Sequence, residues 1–185
     1  MNWIDTQFLV YAALEGHPAR HVVEQEVSRG AWGSCALVLP ELYHVLARDY
    51  AVAARDAAEA VDRLARSPFH WAALDAAQCV AIARRAADHR LAATDAALLI
   101  LAQRDAGTLV SQDRRLLRAA AADGVAVRNP IGAQLAQVIA RWEDEHLPAK
   151  GLPRLLGPVE RWLRGRDPAL ADEFLAATGG LSALP

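Results

Sequence analysis

The sequence is nearly free of lysine: Lys150 is the single one, so almost all of the 20 basic residues are arginine. Arginine's planar fork grips carboxylate or phosphate at two points at once. A GC-rich genome also enriches arginine and alanine, and that bias by itself accounts for the pattern. An excess of either charge is missing too, with 20 basic against 22 acidic residues and a net charge of −2. That balance excludes a protein that coats nucleic acid through bulk positive charge, so any grip on nucleic acid must come from a local patch. Cysteine is scarce. Cys35 and Cys79 have no CxxC or Cys/His spacing, which excludes a disulfide scaffold and a zinc finger and predicts buried free thiols in a reducing cytoplasm. Aromatics make up only 6%, and 11 glycines with 9 prolines disfavour an all-β sandwich full of tight turns. The longest apolar run, Ala96 to Ala102 between Asp95 and Arg104, is far short of a membrane span. The opening Met1-Asn2-Trp3-Ile4-Asp5 lacks a basic stretch leading into an apolar one, so no signal peptide is expected.

Apolar residues and alanine are abundant. The 54% apolar content over 185 residues suffices for one sizeable core plus an appendage. Hydrophobic spacing predicts a short strand at Trp3-Ile4 and a helix from Phe8 to Leu14. A second helix follows from Pro18 to about Ser28. The continuous run Cys35–Leu39 reads as a doubly covered strand, and Pro40-Glu41 opens a helix to about Tyr50. Residues 51–66 read as helix and Phe69–Leu74 as a third strand. Asp75 caps a helix to about Asp88. Thr94-Asp95 begins an apolar helix that ends at Gly107, a suitable residue just past a helix end. Thr108–Val110 is a fourth strand, Asp113 caps 114–122, and Val125–Val127 is a fifth. Short apolar strands joined by helical crossovers predict a mostly parallel sheet covered on both faces. The domain is expected to end near Pro130, giving units 1–130 and 131–185. The second unit holds helical stretches at 132–146, 156–165 and 168–177, broken by Pro148, Gly151, Pro153, Gly157 and Pro158.

Open α/β sheets bind ligands outside the carboxyl ends of their strands. Asp5 follows the first expected strand, Glu41 the second and Asp113 the fourth. Asp95 opens the long helix leading into the fourth. Each alone reads as an ordinary helix cap. Together on one rim they would repel and raise one another's pKa, a cost that a divalent cation relieves. Mg²⁺ and Mn²⁺ favour such oxygen donors, and phosphodiester hydrolysis is the obvious reaction for them.

Four stations carry a family likeness: Ile4-Asp5-Thr6-Gln7, Leu39-Pro40-Glu41-Leu42, Ala93-Thr94-Asp95-Ala96-Ala97-Leu98, and Leu109-Val110-Ser111-Gln112-Asp113-Arg114-Arg115-Leu116. With them, Met1 to about Pro130 resembles the PIN-domain family, and within it the VapC-like toxin ribonucleases. The resemblance implies a three-layer α/β/α sandwich around a mostly parallel five-stranded sheet. It implies a Mg²⁺- or Mn²⁺-dependent endoribonuclease, the toxin of a toxin–antitoxin pair, with a cognate antitoxin as partner. Asp5, Glu41, Asp95 and Asp113 map onto the four acids that hold metal and position the attacking water. Ser111 stands where the family usually has threonine, and its hydroxyl can still bond a carboxylate. Gln7 stands where the family often has asparagine, one methylene shorter. Thr6, Gln7 and Ser111 are the candidates behind the acids.

On the substrate side, Arg114, Arg115, Arg118 and Arg85 are the candidates for RNA phosphates, with Arg84 and Arg90 nearby. The bland reading of each is a solvated helix face. His17 and His21 have metal-capable spacing but no third ligand. Trp32, Trp71, Trp142 and Trp162 could stack bases, although apolar neighbours favour packing, and Trp3 reads as core. Leu135, Val138, Ile139 and Trp142 form one apolar stripe of the tail, and Leu155, Val159, Trp162 and Leu163 another. These predict packing on the domain or a homodimer. The competing function is a PIN-like RNA-binding or protein-interaction module with little turnover. A haloacid-dehalogenase-like phosphatase would want aspartate where Gln7 stands, and a dinucleotide-binding enzyme a glycine-rich turn after the first strand.

Overall fold

The computed structural model describes residues 1–147 and 152–178, with side chains undescribed for 152–155. Five short strands form one wholly parallel sheet: β1 (Asn2–Ile4), β2 (Trp32–Cys35), β3 (His70–Ala72), β4 (Thr108–Val110) and β5 (Ala126–Arg128). Their spatial order is β3-β2-β1-β4-β5. The chain leaves β1 to one side for β2 and β3, then returns to the other side for β4 and β5. The switch point therefore lies between β1 and β4, where a crevice opens at the carboxyl ends of the strands.

The helices are α1 (Thr6–Ala13), α2 (Arg20–Val27), α3 (Val38–His44), α4 (Ala54–Ala65), α5 (Ala76–His89), α6 (Ala93–Arg104) and α7 (Arg114–Ala122). A π-helical turn, Val45–Asp49, continues α3. The sheet with helices on its faces is the expected α/β/α architecture, and additional helices follow it in the chain. No helix of the described residues is long and apolar enough to cross a membrane.

Strand β2 departs from the sequence reading. It occupies Trp32–Cys35, and the apolar run after Cys35 belongs to a turn and to α3. A short apolar run cannot be told from a buried helix start by periodicity. Gly33 and Ser34 look like loop residues, yet all four residues of the strand are buried. A Cβ on Gly33 would lie 3.0 Å from the His70 carbonyl and 3.3 Å from the Trp3 ring. Ser34 donates to the Ile4 carbonyl at 2.9 Å. Close strand packing, not β propensity, selects these residues.

Gly107 follows α6 as expected, but the left-handed residue there is Ala106, with φ of +45°. Gly107 answers a different need: a Cβ would meet the Met1 carbonyl at 2.6 Å and the Trp3 ring at 2.9 Å. Helix α6 is apolar around most of its circumference, with Ala96, Ala97, Leu98, Leu99, Leu101 and Ala102 all buried. That pattern marks a helix inside the core, and it holds the sheet at β1, β2 and β4.

The tail contributes α8 (Ala133–His146), α9 (Leu152–Arg164) and α10 (Pro168–Ala177). The breaks expected at Pro148 and Gly151, the single lysine and the side chain of Leu155 lie outside the described residues. Pro153 and Pro158 fall within α9 rather than ending it. Three of the four residues of the first tail stripe, Leu135, Ile139 and Trp142, pack on the domain, and Val138 stays exposed. Ile139 is buried, and Trp142 meets the His17 ring edge-on at 4.8 Å. His17 in turn stacks on Tyr11 at 4.2 Å. Burial holds the His17 imidazole neutral, with its pKa lowered to about 4 although the Glu143 carboxylate opposes the shift. Helix α9 packs on the π-helical turn and α10 on α9, leaving Trp162 57% exposed. Cys35 is buried as expected, but Cys79 is exposed on α5. An isolated cysteine carries no signal for which helix face it occupies.

Candidate active site

Asp5 is placed by two adjoining elements. It directly follows β1 and caps α1, its carboxylate accepting from the Phe8 N–H at 3.1 Å. The second carboxylate oxygen accepts from the Ser111 hydroxyl, which stands just past β4 and is fully buried. The Ser111 oxygen accepts in turn from the Asp113 N–H at 2.9 Å. Asp113 caps α7 by accepting from Arg115 N–H at 2.6 Å. These links tie the ends of β1 and β4 together across the switch point.

Glu41 comes from the first turns of α3 and accepts from the Thr6 hydroxyl. Asp95 lies in the first turn of α6. Asp5, Thr6, Glu41, Asp95 and Asp113 line one open cleft of about 380 Å³, together with Gln7, Val45 and Gln112. The structure thus brings the four predicted acids and all of Thr6, Gln7 and Ser111 to one region. Their roles differ from a simple ring of supports. Thr6 serves Glu41 and Ser111 serves Asp5, whereas the Gln7 amide donates at 2.8 Å to the Tyr50 hydroxyl.

The electrostatics follow from crowding and burial. Burial raises the Asp5 carboxyl from the usual 3.8 to about 7. The hydrogen bonds from Ser111 and Phe8 oppose the shift, and the carboxylates of Asp95 and Asp113 add to it. Burial likewise raises Asp95 to about 6, with Asp113 and Glu41 adding and Arg115 opposing. Carboxylates this close are costly to keep charged. The donor set is entirely hard oxygen, which suits a Mg²⁺- or Mn²⁺-sized cation. Among the described residues no three His, Cys, Asp or Glu side chains stand at the separations of a closed metal site. The fit therefore rests on donor chemistry and on mutual repulsion that a cation would relieve.

Arg114 and Arg115 at the start of α7 and Arg118 one turn on are exposed. Arg115 is near enough to lower the Asp95 pKa, and Arg118 donates to the Arg114 carbonyl at 3.0 Å. Arg85 is elsewhere. Asp123, just past the opposite end of α7, holds it at 2.5 Å, with His89 3.2 Å from the same carboxylate oxygen. The apparent histidine pair dissolves as well, since His17 is buried and His21 exposed. Trp32 is buried in β2.

Sequence reasoning passes over a second cleft. Gln7, Tyr11, Val45, Asp49, Tyr50 and Gln112 line it from the domain, with Ala136, Ile139, Ala140 and Glu143 from α8. Gln112 was visible within the fourth station. Tyr50 and Glu143 carry no local signal, because only the docking of α8 brings them together, the Tyr50 hydroxyl donating to Glu143 at 3.1 Å.

Comparison with known proteins agrees with the fold. The sequence profile of the PIN domain matches residues 3–122. No curated protein matches the chain. Among crystal structures, the fold is similar to PAE2754 from Pyrobaculum aerophilum, 19% identical, at a TM-score of 0.52 over 77% of this chain and 89% of that one. It is also similar to FitAcB from Neisseria gonorrhoeae, 25% identical, at a TM-score of 0.50 over 70% of this chain and 98% of that one.

Proposed function

Because the chain belongs to the PIN domain family, whose domains are generally nucleases, we propose that it is a Mg²⁺- or Mn²⁺-dependent endoribonuclease. The observation that carries this reading is the convergence of Asp5, Glu41, Asp95 and Asp113 on one cleft at the switch point. A binding module gains nothing from carboxylates that repel one another. Asp5, Glu41, Asp95 and Asp113 are the residues that would hold the cation. When bound, it supplies charge stabilisation to the reacting phosphate and lowers the pKa of a coordinated water.

The remaining work falls to the chain. Ser111 and the Phe8 N–H hold the Asp5 carboxylate in one orientation, and Thr6 does the same for Glu41. Arg115 stands exposed near Asp95, with Arg114 and Arg118 exposed on the same helix, where guanidinium groups would hold a polyanion over carboxylates that otherwise repel it. The unit that does this is 1–130, with 131–185 as its helical extension. We assign the protein to the VapC-like toxins, with a cognate antitoxin, a homodimeric state and a cytoplasmic location that suits two free thiols. The resemblance of the four stations supports the toxin assignment. A small protein encoded beside this gene that silences cleavage on mixing would test the pairing.

The primary test is cleavage of a mixed RNA pool with Mn²⁺, with Mg²⁺ and with EDTA, beside Asp5→Asn and Asp95→Asn. Cutting should require the metal and fall by about 10³-fold or more in each variant, as expected for loss of a group that holds a catalytic cation. Absence of cutting by folded wild type, or cutting that survives both substitutions, would overturn the assignment in favour of a binding module.

A further inference from the structure

The second cleft, about 410 Å³ in volume, adjoins the acidic one, and Gln7, Val45 and Gln112 belong to both walls. Its volume is within the range of about 300–1,000 Å³ that small-molecule sites occupy. None of its lining residues is basic, so it is unsuited to phosphate. Val45, Ile139, Ala136 and Ala140 supply apolar faces for a flat ring.

The polar groups are biased towards acceptors. The Gln7 amide donates to Tyr50 and the Gln112 amide to Tyr11. Each of these bonds uses one of an amide's two N–H groups, and Gln7 also hydrogen-bonds Tyr11. The two amide carbonyls and the Asp49 carboxylate still outnumber the donors that remain, one N–H of Gln112 and the Tyr11 hydroxyl. The Tyr50 hydroxyl is committed to Glu143. Asp49 adds a carboxylate at the last residue of the π-helical turn. A negative charge at the carbonyl end of a helical run is unfavourable to the helix dipole, so helix stability does not explain its presence.

We propose that this cleft seats the base flanking the scissile phosphate and selects a base rich in hydrogen-bond donors, guanine foremost, through Gln7, Gln112 and Asp49. The inference rests on the ribonuclease reading above. Guanine offers its ring N–H and exocyclic amine side by side. Adenine and cytosine offer the amine alone. Uracil sets two carbonyls around its one N–H, which would face acceptors. Helix α8 forms one wall, so the tail acts here as part of the substrate site.

The test has two arms. In the first, a random-sequence RNA pool is cut with Mn²⁺ and the new ends are sequenced for wild type, Ala140→Phe and Asp49→Asn. Ala140 is an exposed helix position, so phenylalanine there fills the cleft without disturbing the core. Wild type should favour guanine at one fixed position beside the cut. Ala140→Phe should lower guanine-flanked cutting about tenfold, towards that beside uracil. Asp49→Asn, which exchanges an acceptor for a mixed group, should narrow the preference by about threefold. An even base distribution in wild type, or a preference untouched by Ala140→Phe, would overturn the proposal. The second arm needs no catalysis: binding of guanosine and uridine 5′-monophosphates is measured by calorimetry. Tighter guanosine binding that Ala140→Phe abolishes supports the cleft even if wild type cuts nothing, in which case only the nuclease reading fails. Equal binding of the two nucleotides overturns the cleft even if cleavage is robust.

Discussion

The two adjoining clefts share a wall yet are built on opposite principles. The acidic one draws its carboxylates from four separate segments, each at a strand end or in a helix's first turns. Its chemistry is concentrated charge, held at a cost in stability that shows in the raised pKa values of Asp5 and Asp95. The neighbouring cleft is made of hydroxyls, amides, an added helix and two carboxylates, Asp49 and Glu143, and its hydroxyls and amides are linked to one another and to Glu143. On the function proposed above, the first would be completed by a cation and the second would discriminate by its shape. In a nuclease the first arrangement supplies rate and the second supplies choice.

The strongest way to break the comparison is to remove a charge from one side and a wall from the other. Asp95→Asn should abolish activity, by about 10³-fold or more, while leaving the fold intact and the metal-free protein slightly more stable, because one repelling carboxylate is gone. Trp142→Ala should do the reverse. It removes the ring that packs α8 on His17 and, being partly buried, should cost about 2 kcal/mol of stability by chemical denaturation. Its effect on cleavage should fall on base preference more than on metal dependence. Equal loss of both properties in both variants would show that the clefts act as one unit.

A smaller effect separates the clefts by pH. The folded protein holds Asp5 and Asp95 protonated up to about 7 and about 6, against the usual 3.8. The native state therefore binds more protons than the unfolded chain between these values, and stability falls as pH rises through that window. His17, lowered from 6.5 to about 4 by burial, works the other way below about pH 6.5, but the two carboxyls together outweigh it, so the metal-free protein should melt at a modestly higher temperature at pH 5 than at pH 7.5. Mn²⁺ should raise the melting temperature more at pH 7.5, where it meets charged carboxylates. Asp95→Asn should flatten the metal-free dependence. A melting temperature that rises with pH in the metal-free wild type would contradict the crowding of these acids.

The same contrast explains what was legible in the sequence. Asp5, Asp95 and Asp113 sit beside a strand end or in the opening turn of a helix, positions that hydrophobic spacing locates. Glu41, expected directly after a strand, lies instead in α3, which already begins at Val38. The parallel sense of the sheet was legible from the helical crossovers between short apolar strands. β2 was displaced because Gly33 and Ser34 are chosen by close packing against His70, Trp3 and Ile4, and those neighbours are remote in sequence. Arg85 was misplaced because its partner, Asp123, lies beyond the far end of α7. The second cleft was illegible because Tyr50 meets Glu143 only through the docking of α8, which depends on ring contacts between Trp142 and His17.

The finest test concerns Ser111, which donates to Asp5 and accepts from the Asp113 N–H. Its hydrogen bond opposes the upward pull of burial on the Asp5 carboxyl. Ser111→Ala removes that opposition, so the Asp5 pKa should climb further and the charged form become scarcer at neutral pH. Cleavage at pH 7 should fall by about tenfold, the order expected for losing one hydrogen bond to a charged group. The acidic limb of the pH–rate profile should move to higher pH. Ser111→Thr keeps the hydroxyl and should restore the profile, at the expense of fitting one more methyl into a fully buried position. A tenfold loss with an unmoved profile would mean that Ser111 serves the fold through Asp113 alone. A moved profile restored by threonine would mean that the link between the ends of β1 and β4 tunes the acid itself.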